Sequence, residues 1–128
     1  MKETILLFGF DQKKVGEVKR ALLPLKMKVK VVDPQDYIQP VGYLAGNKEI
    51  SENERTEEME IKEFEQEMMV MAWLNSVQVD QVLIAMRKQG IGRINYKAVI
   101  TQHNQFWDCR TLYEELKKEH EMLHEKML

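Results

Sequence analysis

Two apolar runs set 64 residues apart, each followed at once by a helix cap, constrain this chain more than any other feature. Ile5 to Phe10 and Met68 to Leu74 are continuous apolar stretches. They have the length of strands and suit burial on both faces. Asp11 and Asn75 come next, each able to accept from the first free N–H groups of a helix, and Gln78 stands where a reciprocal capping box needs it. Val15, Val18, Leu22 and Leu25 then recur at helical spacing, and a shift of 64 places Val79, Val82 and Met86 on the first three and Ala85 on Ala21. Pro24 marks the end of the first helix, and Gly90 offers a left-handed cap to the second.

Each half continues into a second strand. Lys28 to Val32 alternates charge with Val29 and Val31, and Tyr96 to Thr101 follows in the second half. Asp33-Pro34 caps a turn or short helix leading to Gly42, and Asp108 opens a long final helix. Strand, helix, strand in each half predicts a right-handed crossover with parallel strands. The expected fold is α+β: a ferredoxin-like sandwich built from two βαβ half-repeats, with a four-stranded antiparallel sheet of order 4-1-3-2 and an added C-terminal helix. In that order the two parallel strands of a half are not neighbours. The two apolar runs lie side by side at the centre, with Lys28 to Val32 and Tyr96 to Thr101 at the edges.

At 128 residues, 44% apolar and 31% charged, the chain is read as a single domain, 1–128. Residues 1–46 form the first half, 47–67 a connector and 68–128 the second half with its helix. The connector holds nine Glu against Lys48, Arg55 and Lys62, a net of −6 in a chain of net −2, which leaves +4 elsewhere. Its sparse apolar content and its position after the flexible pair Gly42 and Gly46 predict that most of it is a solvated connector. The charge balance makes no case for nucleic acid or an acidic membrane as partner. No apolar run approaches the ~20 residues of a membrane helix, and the N-terminus lacks a secretory pattern, so the expected address is the cytoplasm.

Motifs that could carry chemistry are few. His120-Glu121-Met122-Leu123-His124 fits H-E-x-x-H, in which two histidines one turn apart hold zinc and the glutamate activates water. Only Glu125 to Leu128 follow, leaving no room for the usual downstream ligand. Tyr113, Leu116, His120, Leu123 and Met127 also share one helical stripe, so His120 is expected on a buried or edge face and no metal or other cofactor is assigned. Cys109 with His103 and Asp108 contains the parts of an activated thiol, yet Asp108 suffices as a cap and Cys109 falls on the apolar face. Phe8 and Phe10 sit as in an RNA-binding strand, but Met68 to Trp73 lacks the basic and aromatic partner motif, so core packing is expected. Gly42-Tyr43-Leu44-Ala45-Gly46 has no following Lys-Ser or Lys-Thr pair and is not a phosphate loop. The turn Thr101 to Asp108 sets Trp107 beside an amide, a hydroxyl and an imidazole, the mixture of a small binding site and equally of a self-satisfied turn.

The run Asn95 to Trp107, with Leu112, Glu115, Leu116 and the pair Glu119-His120, resembles a family of small bacterial proteins known only as a domain of unknown function. Gly42 to Gly46 and the strand entry Glu67-Met68-Met69-Val70 are similar to the same pattern, so the resemblance spans nearly the whole chain. Its most specific part is Lys-Ala-Val-x-Thr-x-x-Asn-x-x-Trp at 97–107. The resemblance implies no mechanism. It implies that Lys97, Thr101, Asn104 and Trp107 are positions of interest and that Glu119-His120 belongs to the fold, with His124 a departure from the pattern.

Two functions follow as expectations. One is a non-catalytic binding or protein-interaction module, with open sheet edges that can pair two copies into a homodimer and with Lys28, Lys30 and Lys97 blunting that tendency. The other is a small-molecule sensor or small enzyme at the corner from Lys97 to Trp107, with Lys97 or His103 as acid, base or anion contact, Thr101 and Asn104 in the loop, and Trp107 as platform.

Overall fold

The computed structural model describes the backbone of residues 1–127 and the side chains of residues 1–123. Its regular elements are β1 (Thr4–Phe8), α1 (Gln12–Leu22), β2 (Lys28–Val32), the single turn α2 (Val41–Leu44), β3 (Met68–Ala72), α3 (Ser76–Lys88), β4 (Tyr96–Val99) and α4 (Cys109–Met127). The caps expected before α1 and α3 are both present: Asp11 accepts from the Lys14 N–H and Asn75 from the Gln78 N–H, each at 2.8 Å, and Gln78 completes the capping box. The apolar strands end earlier than their apolar runs. Gly9 (φ 75°) and Trp73 (φ 67°), again 64 residues apart, adopt left-handed backbone and turn the chain out of the sheet. Lys26 (φ 57°) and Gly90 (φ 79°), also 64 apart, do the same after the two helices.

One mixed sheet of order β2-β1-β3-β4 runs through the molecule. β1 pairs with β2 in parallel, β3 with β4 in parallel, and β1 with β3 antiparallel. The expected centre and edges hold, but the antiparallel ferredoxin-like order 4-1-3-2 does not: β2 lies beside β1, and β4 beside β3. Alternation marks a strand as lying at an edge and is blind to which edge, because either edge buries the same alternate residues. The short return decides it. After α1 and a 3-10 turn at Leu23–Leu25, left-handed Lys26 reverses the chain, and the Lys28 N–H donates to the Glu3 carbonyl at 3.0 Å, placing β2 directly against β1.

All ten residues of β1 and β3 are buried. On one face Ile5, Leu7, Met69 and Met71 pack under Val18 and Leu22 of α1 and Val82 and Met86 of α3. On the other, Leu6, Phe8, Met68 and Val70 meet Tyr37, Val41, Cys109, Leu112 and Tyr113 from the segment after β2 and from α4. The antiparallel register sets Leu6 opposite Val70, its counterpart at a shift of 64, with Ile5 opposite Met71 and Leu7 opposite Met69. The β1/β3 ladder thus has its local dyad between Leu6 and Val70. The second half is longer: β2 begins 24 residues after its partner position in β1 (Thr4 to Lys28), and β4 begins 28 after its own in β3 (Met68 to Tyr96). The extra four residues lie between Gly90 and β4.

The acidic connector is exposed from Ser51 to Glu63, as expected of a solvated link, but it is pinned at both ends. Near its start the Asn53 N–H donates to Gln39 Oε1 at 2.7 Å, Gln39 Nε2 donates back to the Asn53 carbonyl, and Asn53 Nδ2 donates to the Ile38 carbonyl. Near its end Phe64 lies stacked between Tyr37 and Tyr113, with centroids 4.1 Å from each, and the Arg110 guanidinium sits 5.1 Å over its ring. The Tyr113 hydroxyl accepts from the Gln66 N–H, and Arg110 Nη2 donates to the Lys62 carbonyl. Gly42, read as flexible from sequence, is buried inside α2.

The aromatic stack generates two predictions. Phe64→Ala is expected to lower the unfolding free energy by about 2–3 kcal/mol, below the range for a fully buried Phe because Phe64 is half-buried, and to speed proteolysis between 51 and 63. Denaturant titration and limited digestion read both. Burial pushes the Tyr37 phenol up to about 12 from its ordinary 10.0, with Cys109 as the next contributor. A raised folded-state value stabilises below pH ~10 and loses that contribution as pH climbs from ~10 to ~12. The stability difference between the protein and Tyr37→Phe should therefore stay constant up to pH ~10 and shift against the tyrosine above it.

Candidate functional site

Residues Thr101 to Asp108 fold into a self-bonded corner. Thr101 Oγ1 accepts from the N–H groups of His103 and Asn104, the Thr101 N–H donates to Asn104 Oδ1 at 2.8 Å, and Asn104 Nδ2 donates to the Val99 carbonyl. These are the bonds of a turn that satisfies its own backbone. Trp107 packs on the core below, and His103 is exposed and meets the Trp107 ring edge-on at 5.4 Å. Lys97 lies elsewhere: it pairs with Met69, whose side chain packs on the α1/α3 face, whereas Trp107 packs into the opposite core. The structure brings Thr101, His103, Asn104 and Trp107 together and leaves Lys97 apart from them.

The corner is also a joint between the halves. The Val41 N–H donates to the Trp107 carbonyl, the Cys109 N–H to that of Tyr37, and Asn47 Nδ2 to Gln105 Oε1. A Cβ at Gly42 would come within 2.7 Å of Ile50 Cδ1 and 2.8 Å of the Gln105 carbonyl oxygen, so this contact requires glycine. Lys30 Nζ and Trp73 Nε1 donate to the carbonyls of Leu44 and Ala45 at the end of α2. Two of the motifs that carried the family resemblance, 42–46 and 97–107, therefore meet here.

The remaining sequence candidates separate. His120 is exposed rather than buried, because α4 runs past the sheet and only its first turns, through Leu116, cover it; the imidazole stands edge-on to Tyr96 at 5.6 Å. The side chain of His124 lies outside the described residues, as does that of Met127. Among the described residues no group of three or more His, Cys, Asp or Glu is arranged to hold a metal. Cys109 is fully buried, with its thiol 3.4 Å from the Gln39 carbonyl oxygen, and burial, followed by the nearby charges of Asp108 and Asp36, pushes the thiol well up from its ordinary value.

A groove of about 410 Å³ opens on the α1/α3 side, between the C-terminal half of α3, the loop after Gly90 and the inner face of β3 and β4. Met69, Leu83, Met86, Ile91 and Ile94 supply its apolar walls, and Arg87, Arg93 and Lys97 bring three cations to it. Among the described residues no carboxylate lines it. The first half has nothing comparable in sequence. Lys97 takes the register position held there by Val29, Arg87 that of Leu23 at a shift of 64, and Arg93 belongs to the segment of extra length.

Residues 67–123 match the family model described as Domain of unknown function (DUF3783). No curated protein and no solved structure matches the chain. The DUF3783 segment runs from the entry of β3 into the distal part of α4 and contains every residue of the groove and the whole Thr101–Trp107 corner. The 42–46 motif lies outside it.

Sequence reasoning named one cation of the groove, Lys97, and missed Arg87 and Arg93. The available signal was length. Aligning the halves at a shift of 64 as far as Gly90 leaves Ile91-Gly92-Arg93-Ile94-Asn95 before the DUF3783 strand β4, against Met27 alone between Lys26 and β2. A loop lengthened in one of two similar halves is where binding groups concentrate.

Cys109 generates a prediction. A thiol reagent at pH 7 is expected to leave the folded protein unlabelled over minutes and to label it stoichiometrically in denaturant, as mass spectrometry would record. Rapid labelling of the folded chain would return Cys109 to the list of reactive groups.

Proposed function

We propose that this chain is a non-catalytic binding module that takes a small ligand in the groove between α3 and β4. The observation that carries this reading is the convergence of Arg87, Arg93 and Lys97 on an apolar hollow of about 410 Å³, the size and mixture of a small-molecule site. None of the three makes an ion pair among the described residues. In the same reading the chain is a duplicated unit whose first half keeps the plain strand, helix, strand frame and whose second half adds the ligand loop. The shared left-handed positions at 9 and 73 and at 26 and 90, and the shared caps at 11 and 75, support that relation.

The alternative, a sensor or enzyme at the Lys97–Trp107 corner, requires one ligand to reach groups that pack toward opposite faces of the sheet. A small-molecule library screened by amide chemical shifts separates the readings. Hits are expected to move amides between Met86 and Lys97 and to be lost on Leu83→Trp, which fills the groove. Shifts confined to 101–107 would move the site to the corner and overturn the proposal.

A further inference from the structure

From the chemistry of the groove we infer that its ligand is a free amphiphilic anion, a carboxylate or phosphate monoester on a short apolar chain. This rests on the binding reading above and adds the ligand's class. Arg87 alone has a sufficient local explanation, since it and Lys88 stand in the last turn of α3, where cations complement the helix dipole. Lys97 also serves as a charge on the edge strand β4, but Arg93, from the extra loop, has no such explanation, and both line the same hollow. A protein of net charge −2 has thus gathered three cations from three separate segments around one opening, with no acid among the lining residues. The uncompensated charge calls for an anion.

Charge is only half of the site. A bare inorganic anion would leave the apolar walls unused, and a neutral hydrocarbon would leave the cations unpaired. Leu83 and Ile91 are part-exposed at the groove while Met69, Met86 and Ile94 are buried beneath it, so apolar surface continues from the mouth inward. A ligand with a charged head and a tail covers both. Each methylene moved from water into such walls strengthens binding by about 4-fold.

The test uses the full chain and five probes below their aggregation limits: hexanoate, octanoate, octyl phosphate, octanol and octylammonium, titrated with amide shifts and calorimetry as readouts. Octanoate and octyl phosphate are expected to move amides between Met86 and Lys97, with octanoate about 10-fold or more tighter than both hexanoate and octanol, and octylammonium without effect. Arg93→Gln and Lys97→Gln should each weaken octanoate by about 5-fold or more, whereas Lys88→Gln, whose residue does not line the groove, should leave it unchanged; thermal unfolding confirms that each variant is folded. Equal affinity for octanol and octanoate at these amides would overturn the anionic class while keeping the groove as a site. An acidic peptide, or phosphatidylglycerol vesicles, bound through Arg93 with no response to octanoate would overturn the free amphiphile. Failure of every probe and of the library to move these amides would sink both this inference and the reading beneath it.

Discussion

The antiparallel ladder between β1 and β3 is the interaction on which the rest of the molecule depends. Its ten residues are all buried, and successive side chains feed two different cores, one under α1 and α3 and one under α2, α4 and the aromatic stack. Burying an aliphatic side chain of this kind contributes about 1.5–3 kcal/mol relative to exposure. A slip of one residue would exchange the two cores, sending Leu6 and Phe8 toward the helices and Ile5 and Leu7 toward the aromatics. The ladder therefore sets the register of everything attached to it, including the face on which Lys97 emerges.

Once the two halves are locked about Leu6 and Val70, their differences acquire meaning. The first half ends in an elaborate covering of the core around Leu6 and Phe8, a 3-10 turn at Pro34–Asp36 and then α2, and the connector continues it as a strap that ends on Phe64. The second half carries the lengthened return after Gly90 and the long α4. Each half thus finishes the other. α2 from the first closes on the corner from the second at Gly42, and the Trp73 indole from the second binds the Ala45 carbonyl of the first. Trp73 holds left-handed backbone that Gly9 supplies freely in the other half, and this bond together with its packing on the core offsets the strain.

Much of this architecture was legible in the residues. Asp11, Asn75 and Gln78 announced their helices because capping chemistry is local, and the two apolar runs announced the central strands because burial on both faces leaves no alternation to hide. Edge assignment was legible and edge identity was not, since nothing in Lys28 to Val32 records which neighbour it meets. Phe64 went unnoticed because one aromatic in an acidic, aperiodic segment carries no pattern; its partners Tyr37 and Tyr113 lie 27 residues before and 49 after it. His120 was misplaced for the opposite reason: a helical stripe shows which face is apolar and says nothing of how far the sheet beneath extends. Of the candidate site, Thr101 and Asn104 were read correctly as turn formers in one of two readings, while the groove depended on a difference in length between halves.

The strap has a consequence for how such a chain can vary. It is fastened by Asn53 at one side and by Phe64 at the other, and the stretch between them is exposed throughout. Loop entropy grows slowly with length, by about 0.6 kcal/mol for each doubling, so residues added between the two fastenings disturb neither core nor ladder. This span is the natural port for grafting: a reporter, an affinity handle or a whole folded guest inserted there would ride on the outside of the molecule, on the side of the sheet opposite the groove between α3 and β4.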